Sequence, residues 1–141
     1  IPFIQTGAAI IIRNEEGQIL LQERTDRNKW GLPGGCQDLG EDLRTTAVRE
    51  AYEETGIILN PNDIKLIDTL SGENRKNSYP NGDIVYNNTS LYVADVNIQD
   101  AKDLKGDSET KKLQFFYPEE VPENLMDADL IKTYLNFIGK K

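Results

Sequence analysis

Residues 35–57 read GCQDLGEDLRTTAVREAYEETGI, and the rest of the chain is best understood as support for that stretch. Asp42 is suited to cap a helix, because its carboxylate can accept from the free amides of the first turn. Leu43 then opens the helix, and Gly56 can end it by taking the left-handed conformation. At about 100° per residue, Glu50, Glu53 and Glu54 fall within an arc of roughly 100° on one helix face. Leu43, Ala47, Val48, Ala51 and Tyr52 cover the flank and back, where a core can receive them. Like charges at these spacings cost a helix about 0.2–0.5 kcal/mol per pair. Two readings answer that cost. The face is a solvated acidic surface with Arg49 pairing to Glu53 one turn on, or a hard divalent cation such as Mg²⁺ is held by the carboxylate oxygens.

The full spacing resembles the Nudix box, GX5EX7REUXEEXGU, where U is a bulky aliphatic residue. Gly35 begins the pattern, Glu41 follows after five residues, and seven more lead to Arg49 and Glu50. Glu53, Glu54, Gly56 and Ile57 complete it, with the small Ala51 as the one departure. So many fixed positions make the motif highly specific. The preceding Trp30, Gly31, Leu32, Pro33 and Gly34 are also similar to the family's usual lead-in. The resemblance is sharp over residues 30–57 and looser elsewhere. It implies an α/β fold of the Nudix type, an α/β/α sandwich with a mixed β-sheet.

A chain of 141 residues with 38% hydrophobic content suits one domain with a single packed core, taken as residues 1–141. A net charge of −8 argues against a surface that coats nucleic-acid polymers. An acidic protein still binds anionic phosphates when metal ions bridge the two. The chain has no histidine and only one cysteine. That excludes an intrachain disulfide, histidine acid–base chemistry, Ser-His-Asp triads and the usual zinc sites. Cys36 reads as a small loop residue with nothing to activate its thiol. No apolar run approaches the roughly 20 residues that span a membrane, and no signal peptide is visible, so a cytoplasmic protein is expected.

In chain order, residues 4–13 form a strand whose apolar run, Ala8 to Ile12, suits burial on both faces. A turn over residues 14–17 leads to a second strand, QILLQE, and the two read as a hairpin. After a short strand at residues 30–32, Pro33, Gly34 and Gly35 are expected to turn the chain into the box, the glycines allowing unusual φ values and close approach of backbone to a ligand. Residues 64–70 form a further strand. Residues 71–82 are a polar loop ending in a tight reversal at Pro80 and Asn81. Residues 84–96 form one long strand, with Leu91, Val93 and Val96 on one face. A strand at residues 113–116 follows, and then a last helix capped by Asp127.

The reaction implied by the resemblance is metal-dependent hydrolysis of a nucleoside diphosphate linked to another moiety: a nucleoside triphosphate, ADP-ribose or a dinucleoside polyphosphate. The products are a nucleoside monophosphate and the phosphorylated second moiety, or pyrophosphate. The family's metal ligands map to Glu53, Glu54, Glu50 and the Gly34 carbonyl, with Glu50 as ligand or general base. Arg49 would hold the carboxylates, while Glu41 and Gly35 support the site. Arg24 and Arg27 would face substrate phosphates. Relatives often add a carboxylate from a later loop, just before the last strand. This chain has Lys112 there, and Glu109 is the nearest substitute. The implied cofactor is Mg²⁺, with Mn²⁺ as a substitute, the partner is a small-molecule nucleotide, and homodimers are common among relatives. The alternative is a regulatory, nucleotide-binding Nudix domain without significant turnover. Its usual mark is a broken box, and this box is intact. The proline and tyrosine marks of the ADP-ribose and dinucleoside polyphosphate subfamilies are missing at Ser71, Gly72, Glu73 and Asn74, so the substrate stays open.

Overall fold

The computed structural model describes residues 1–25, 28–101 and 103–139, with Lys111 by its backbone alone. Eight strands and two α-helices follow in the order β1 (Phe3–Arg13), β2 (Ile19–Arg24), β3 (Lys29–Gly31), β4 (Gly34–Cys36), α1 (Leu43–Thr55), β5 (Lys65–Leu70), β6 (Lys76–Ser78), β7 (Ile84–Asp95), β8 (Thr110–Phe116) and α2 (Ala128–Gly139). They build a mixed sheet with the path β3-β2-β1-β7-β5, to which β4, β6 and β8 attach through β1, β7 and β2. The long central pair β1 and β7 is parallel, and the other pairings are antiparallel. Among the described residues no helix is long and apolar enough to cross a membrane.

The apolar run in β1 is buried on both faces, as its continuity predicts. Ala8, Ile10 and Ile12 point to the α1 side and join Ala47, Ala51, Ile57 and Tyr92. Ala9 and Ile11 point to the α2 side and join Trp30, Leu91, Val93, Leu130, Ile131 and Tyr134. The sheet is thus the middle of three layers, each helix covering one face. Fully burying one such aliphatic side chain stabilises by about 1.5–3 kcal/mol. The alternation of strand side chains sends neighbouring residues of one strand into two different cores.

Several expectations need correcting. Gly34 and Gly35 form no turn but lie in β4, paired with Ala9 and Ala8, and neither has positive φ. Residues 76–78 of the expected loop pair with β7 as a strand. Tyr52 does not reach a core and is 56% exposed. Val96 packs against the α1-side core with Tyr92 and Ala94 while Leu91 and Val93 lie in the other, because three residues separate it from Val93 and side chains alternate faces along a strand.

Candidate active site

α1 forms where its caps require. The Asp42 side chain accepts from the Thr45 amide at 2.8 Å, and Gly56 at φ 80° ends the helix with its amide donated to the Tyr52 carbonyl. The helix thereby presents Arg49, Glu50, Glu53 and Glu54 beside β4. Arg49 is the organising cation. Its Nε donates to Glu41 Oε2 at 2.7 Å and its Nη2 to Glu41 Oε1 at 3.0 Å, a two-point fork. Nη1 reaches Glu50 Oε1 at 2.8 Å and Glu53 Oε2 at 3.2 Å, while Nη2 also donates to the Cys36 carbonyl at 2.9 Å. One guanidinium thus ties the helix to the preceding loop and to the end of β4. Glu41 in turn accepts from the Thr46 hydroxyl and the Asp38 amide. Arg49 first, and Thr46 after it, hold the Glu41 carboxyl down at about 2, so it stays ionised throughout the working range.

Glu54 lies deeper than its neighbours. It is only 3% exposed, accepts from the Gly34 amide at 3.2 Å, and takes a short hydrogen bond from the Gln22 carboxamide. Burial, and then the adjoining Glu50 carboxylate, push the Glu54 carboxyl up to about 9. Two carboxyls are therefore packed together in a site that cannot keep both ionised, and a proton offsets the second charge. Such oxygens suit a divalent cation, which would take the proton's place. Glu53 stands apart: it is turned to Arg49, with its side chain half exposed. Among the described residues no three acidic or cysteine side chains converge as a ready-made metal cluster.

The raised Glu54 value fixes a pH dependence. The folded protein holds this proton up to about pH 9, whereas an unfolded chain releases it in the ordinary carboxylate range, near 4.3. Between those limits the folded state binds more protons, so its stability falls as pH rises. The Tm measured in EDTA should therefore decline from pH 6 to pH 9, and added Mg²⁺ should raise Tm more at the upper end. A Tm rise independent of pH would place the cation elsewhere.

Gly34 and Gly35 are needed for room rather than for φ. A Cβ on Gly35 would lie 2.6 Å from the Glu50 carboxyl carbon, and one on Gly34 would lie 2.5 Å from the Ala8 carbonyl oxygen. Gly35 faces α1, because its β-partner Ala8 does. β4 also borders a cleft of about 960 Å³, lined by Arg24, Gly34, Gly35, Cys36, Arg75 and Asp127 among others. Gln22 and Gly35, which adjoin Glu54 and Glu50, also line that cleft, so β4 joins the carboxylates to it. Cys36 is exposed, and burial first, then the Glu50 charge, raise its thiol above the usual range, which fits an unreactive role.

The remaining candidates divide. Arg24 lines the cleft and forms a tight ion pair with Glu109, so two residues expected in different roles meet each other. The Glu109 carbonyl also accepts from the Thr25 amide at 2.9 Å. Glu109 is thus tied to the end of β2, while Glu50 and Glu54 sit together. Glu109→Gln should accordingly reduce turnover less than Glu50→Gln. The reverse ranking in steady-state kinetics would move the base to the later loop. Arg27 lies outside the described residues. Gln22 went unnoticed in the sequence, although a glutamine inside the apolar run ILLQ is a signal. It is 1% exposed and joins Glu54 to the Thr110 hydroxyl, which donates to it at 3.1 Å. Phe116 packs edge-on against Trp30 at the α2-side core.

A family model described as NUDIX domain matches residues 4–137. A "MutT-like protein" of Streptomyces ambofaciens is 28% identical over 135 residues, which is 93% of this chain and 75% of that protein. An "RNA pyrophosphohydrolase" of Actinobacillus pleuropneumoniae is 40% identical over 61 residues, or 43% of this chain and 29% of that protein. The matches to curated relatives at 40% identity or more span about a third of those relatives or less, 21–34%. A crystal structure of a MutT protein from Methanosarcina mazei superposes with a TM-score of 0.73 at 24% identity, covering 98% of this chain and 96% of that one. That likeness concerns the fold.

Proposed function

The chain belongs to the Nudix hydrolase family, and on that premise we propose that it is a Mg²⁺-dependent pyrophosphohydrolase. It cleaves a nucleoside diphosphate joined to a second moiety, with nucleoside triphosphates, ADP-ribose and dinucleoside polyphosphates as the candidate class. The observation that carries this reading is the buried Glu54 carboxyl, beside the partly buried Glu50 and set against the Gly34–Gly35 backbone that also lines the 960 Å³ cleft.

Glu50, Glu53, Glu54 and the Gly34 carbonyl would hold the cation, with Mn²⁺ as a substitute. When bound, the cation would neutralise the pyrophosphate and lower the pKa of water. The chain's own residues supply the rest. Arg49 holds Glu50 in one orientation and keeps Glu53 within reach, so the carboxylates arrive already aligned. Glu50 is the general base: its carboxylate takes the proton as water attacks one phosphorus and the bridging oxygen leaves with the other. Arg24 meets the substrate phosphates from the cleft, exchanging its Glu109 partner for a phosphate oxygen. The names of relatives point to the same bond. One is an RNA pyrophosphohydrolase, and a fold neighbour from C. elegans is an Ap4A hydrolase. Another neighbour, the NUDIX domain of NrtR from Shewanella oneidensis, was crystallised with ADP ribose.

The test is a substrate panel. The protein is incubated with Mg²⁺ or Mn²⁺ and, separately, with ADP-ribose, canonical and 8-oxo nucleoside triphosphates, diadenosine polyphosphates and nucleotide sugars, and products are separated by chromatography. One substrate should stand out, and EDTA should abolish its cleavage. Silence across the panel despite measurable Mg²⁺ binding would defeat the hydrolase reading in favour of a nucleotide-binding regulatory domain.

A further inference from the structure

Arg75 sits in the wall of the cleft, at the end of the short 3-10 turn Glu73–Arg75 that leads into β6. Its Nη1 donates to Asp129 Oδ2 at 2.7 Å, and its Nη2 donates to the Thr89 hydroxyl at 2.8 Å. Those partners come from the first turn of α2 and from β7, so two elements aim one guanidinium. The side chain is 15% exposed. Its Nε is buried without a hydrogen-bond partner, the one such side-chain atom among the described residues. Leaving a buried donor unsatisfied carries a desolvation cost, a larger one for a charged group. Such a cost, borne in a cleft wall, indicates an orientation held for a ligand rather than for packing.

Strand register places this group relative to the chemistry. Gly7 is paired with Cys36 on one side and with Thr89 on the other. Neighbouring strands are about 4.8 Å apart, so Thr89 lies roughly 10 Å from β4 across the sheet. Gly7 continues the alternation of Ala9 and Ile11, which face α2, so this line runs across the cleft side. A nucleotide with its reacting phosphate at the β4 edge spans such a distance through its ribose. Its base would then lie at Arg75. The Asp129 carboxylate compensates the guanidinium charge, which favours a neutral acceptor over a second phosphate. A guanidinium has five N–H donors, and the bonds to Asp129 and Thr89 leave one N–H on each Nη.

We propose that Arg75 is a specificity-determining residue that reads the nucleobase, donating to a carbonyl or ring-nitrogen acceptor at the cleft end remote from the carboxylates. Asp129 and Thr89 act as positioning residues that fix its orientation. This rests on the nucleotide-hydrolase reading for the identity of the ligand, but its test needs no turnover.

The experiment is calorimetric titration of the wild-type chain, Arg75→Gln, Arg75→Lys and Thr89→Val with AMP, GMP, CMP, UMP and, separately, inorganic pyrophosphate, all with Mg²⁺, beside a Tm for each. For the preferred monophosphate, Arg75→Gln should weaken binding roughly 10- to 100-fold, the loss of a hydrogen bond from a charged donor. Arg75→Lys should recover little, because it lacks the planar fork, and Thr89→Val should fall between. Pyrophosphate affinity should change less than about twofold, within the scatter of a distant substitution. An equal loss for pyrophosphate would overturn the proposal by placing Arg75 at the phosphates. Unchanged monophosphate affinity in Arg75→Lys and Thr89→Val, with only a lowered Tm, would make the residue structural. Wild-type protein that binds no monophosphate also overturns it. Wild-type protein that binds monophosphates through Arg75 yet cleaves nothing in the panel would sink the hydrolase reading alone.

Discussion

Glu54→Gln should reduce kcat by roughly 10²–10⁴-fold, about 3–5 kcal/mol of transition-state stabilisation, while raising the stability of the cation-free protein above neutral pH. The two effects share one cause. Glutamine keeps an oxygen that can accept from the Gly34 amide and the Gln22 carboxamide, so the local fold is preserved. What is lost is the capacity to ionise. In the wild type, the buried Glu54 carboxyl beside Glu50 resists losing its proton until about pH 9, and that resistance is what a divalent cation would exploit. Removing it should flatten the decline of Tm with pH in EDTA and shrink the Tm gain from Mg²⁺. Steady-state kinetics with paired thermal scans would decide the matter. A Glu54→Gln variant with near-normal kcat would defeat the assignment of this carboxylate to the cation. Glu53→Gln should also lose turnover by orders of magnitude while the fold survives, because its side chain is half exposed.

Gly35→Ala should cost about 10²-fold in turnover with little loss of fold, whereas Gly34→Ala should lower Tm markedly. The contrast lies in what the added carbon meets. At position 35 it would fall 2.6–2.8 Å from the atoms of the Glu50 carboxyl, the far end of a flexible side chain that can swing aside. Doing so takes Glu50 away from Arg49 and Glu54, and a misplacement of about 1 Å in a reacting group is enough for a loss of that size. At position 34 the same carbon would meet the Ala8 carbonyl oxygen at 2.5 Å and the Ala9 Cα at 2.8 Å. Those are backbone atoms of the central strand, so relief requires the β1–β4 pairing to open. Circular dichroism melts beside kcat would separate the two. A Gly35→Ala protein with wild-type turnover would mean that Glu50 is not held where the reaction needs it.

Much of this protein could be read from short-range rules. The apolar run of β1 announced a strand buried on both faces because alternation needs only neighbouring residues. Asp42 and Gly56 announced the ends of α1 because capping acts within one turn, and the spacing of Arg49, Glu50, Glu53 and Glu54 put four charges on consecutive helix turns. The family followed from that spacing. Tertiary structure decided how the charges are partnered. Gln22 and Glu54 are 32 residues apart, Arg75 and Asp129 are 54 apart, and Arg24 and Glu109 are 85 apart. No local periodicity relates such positions. They meet because β2, β4 and β8 converge on one end of α1, and because the first turn of α2 closes over the β6 end of the cleft. The same convergence makes β4 a strand where glycines read as a turn, since pairing with β1 outweighs the weak strand preference of Gly34 and Gly35. It also separates the acidic face into a buried Glu54, a partly buried Glu50 and an outer Glu53, because only the folded core removes water from some carboxylates and leaves it to others.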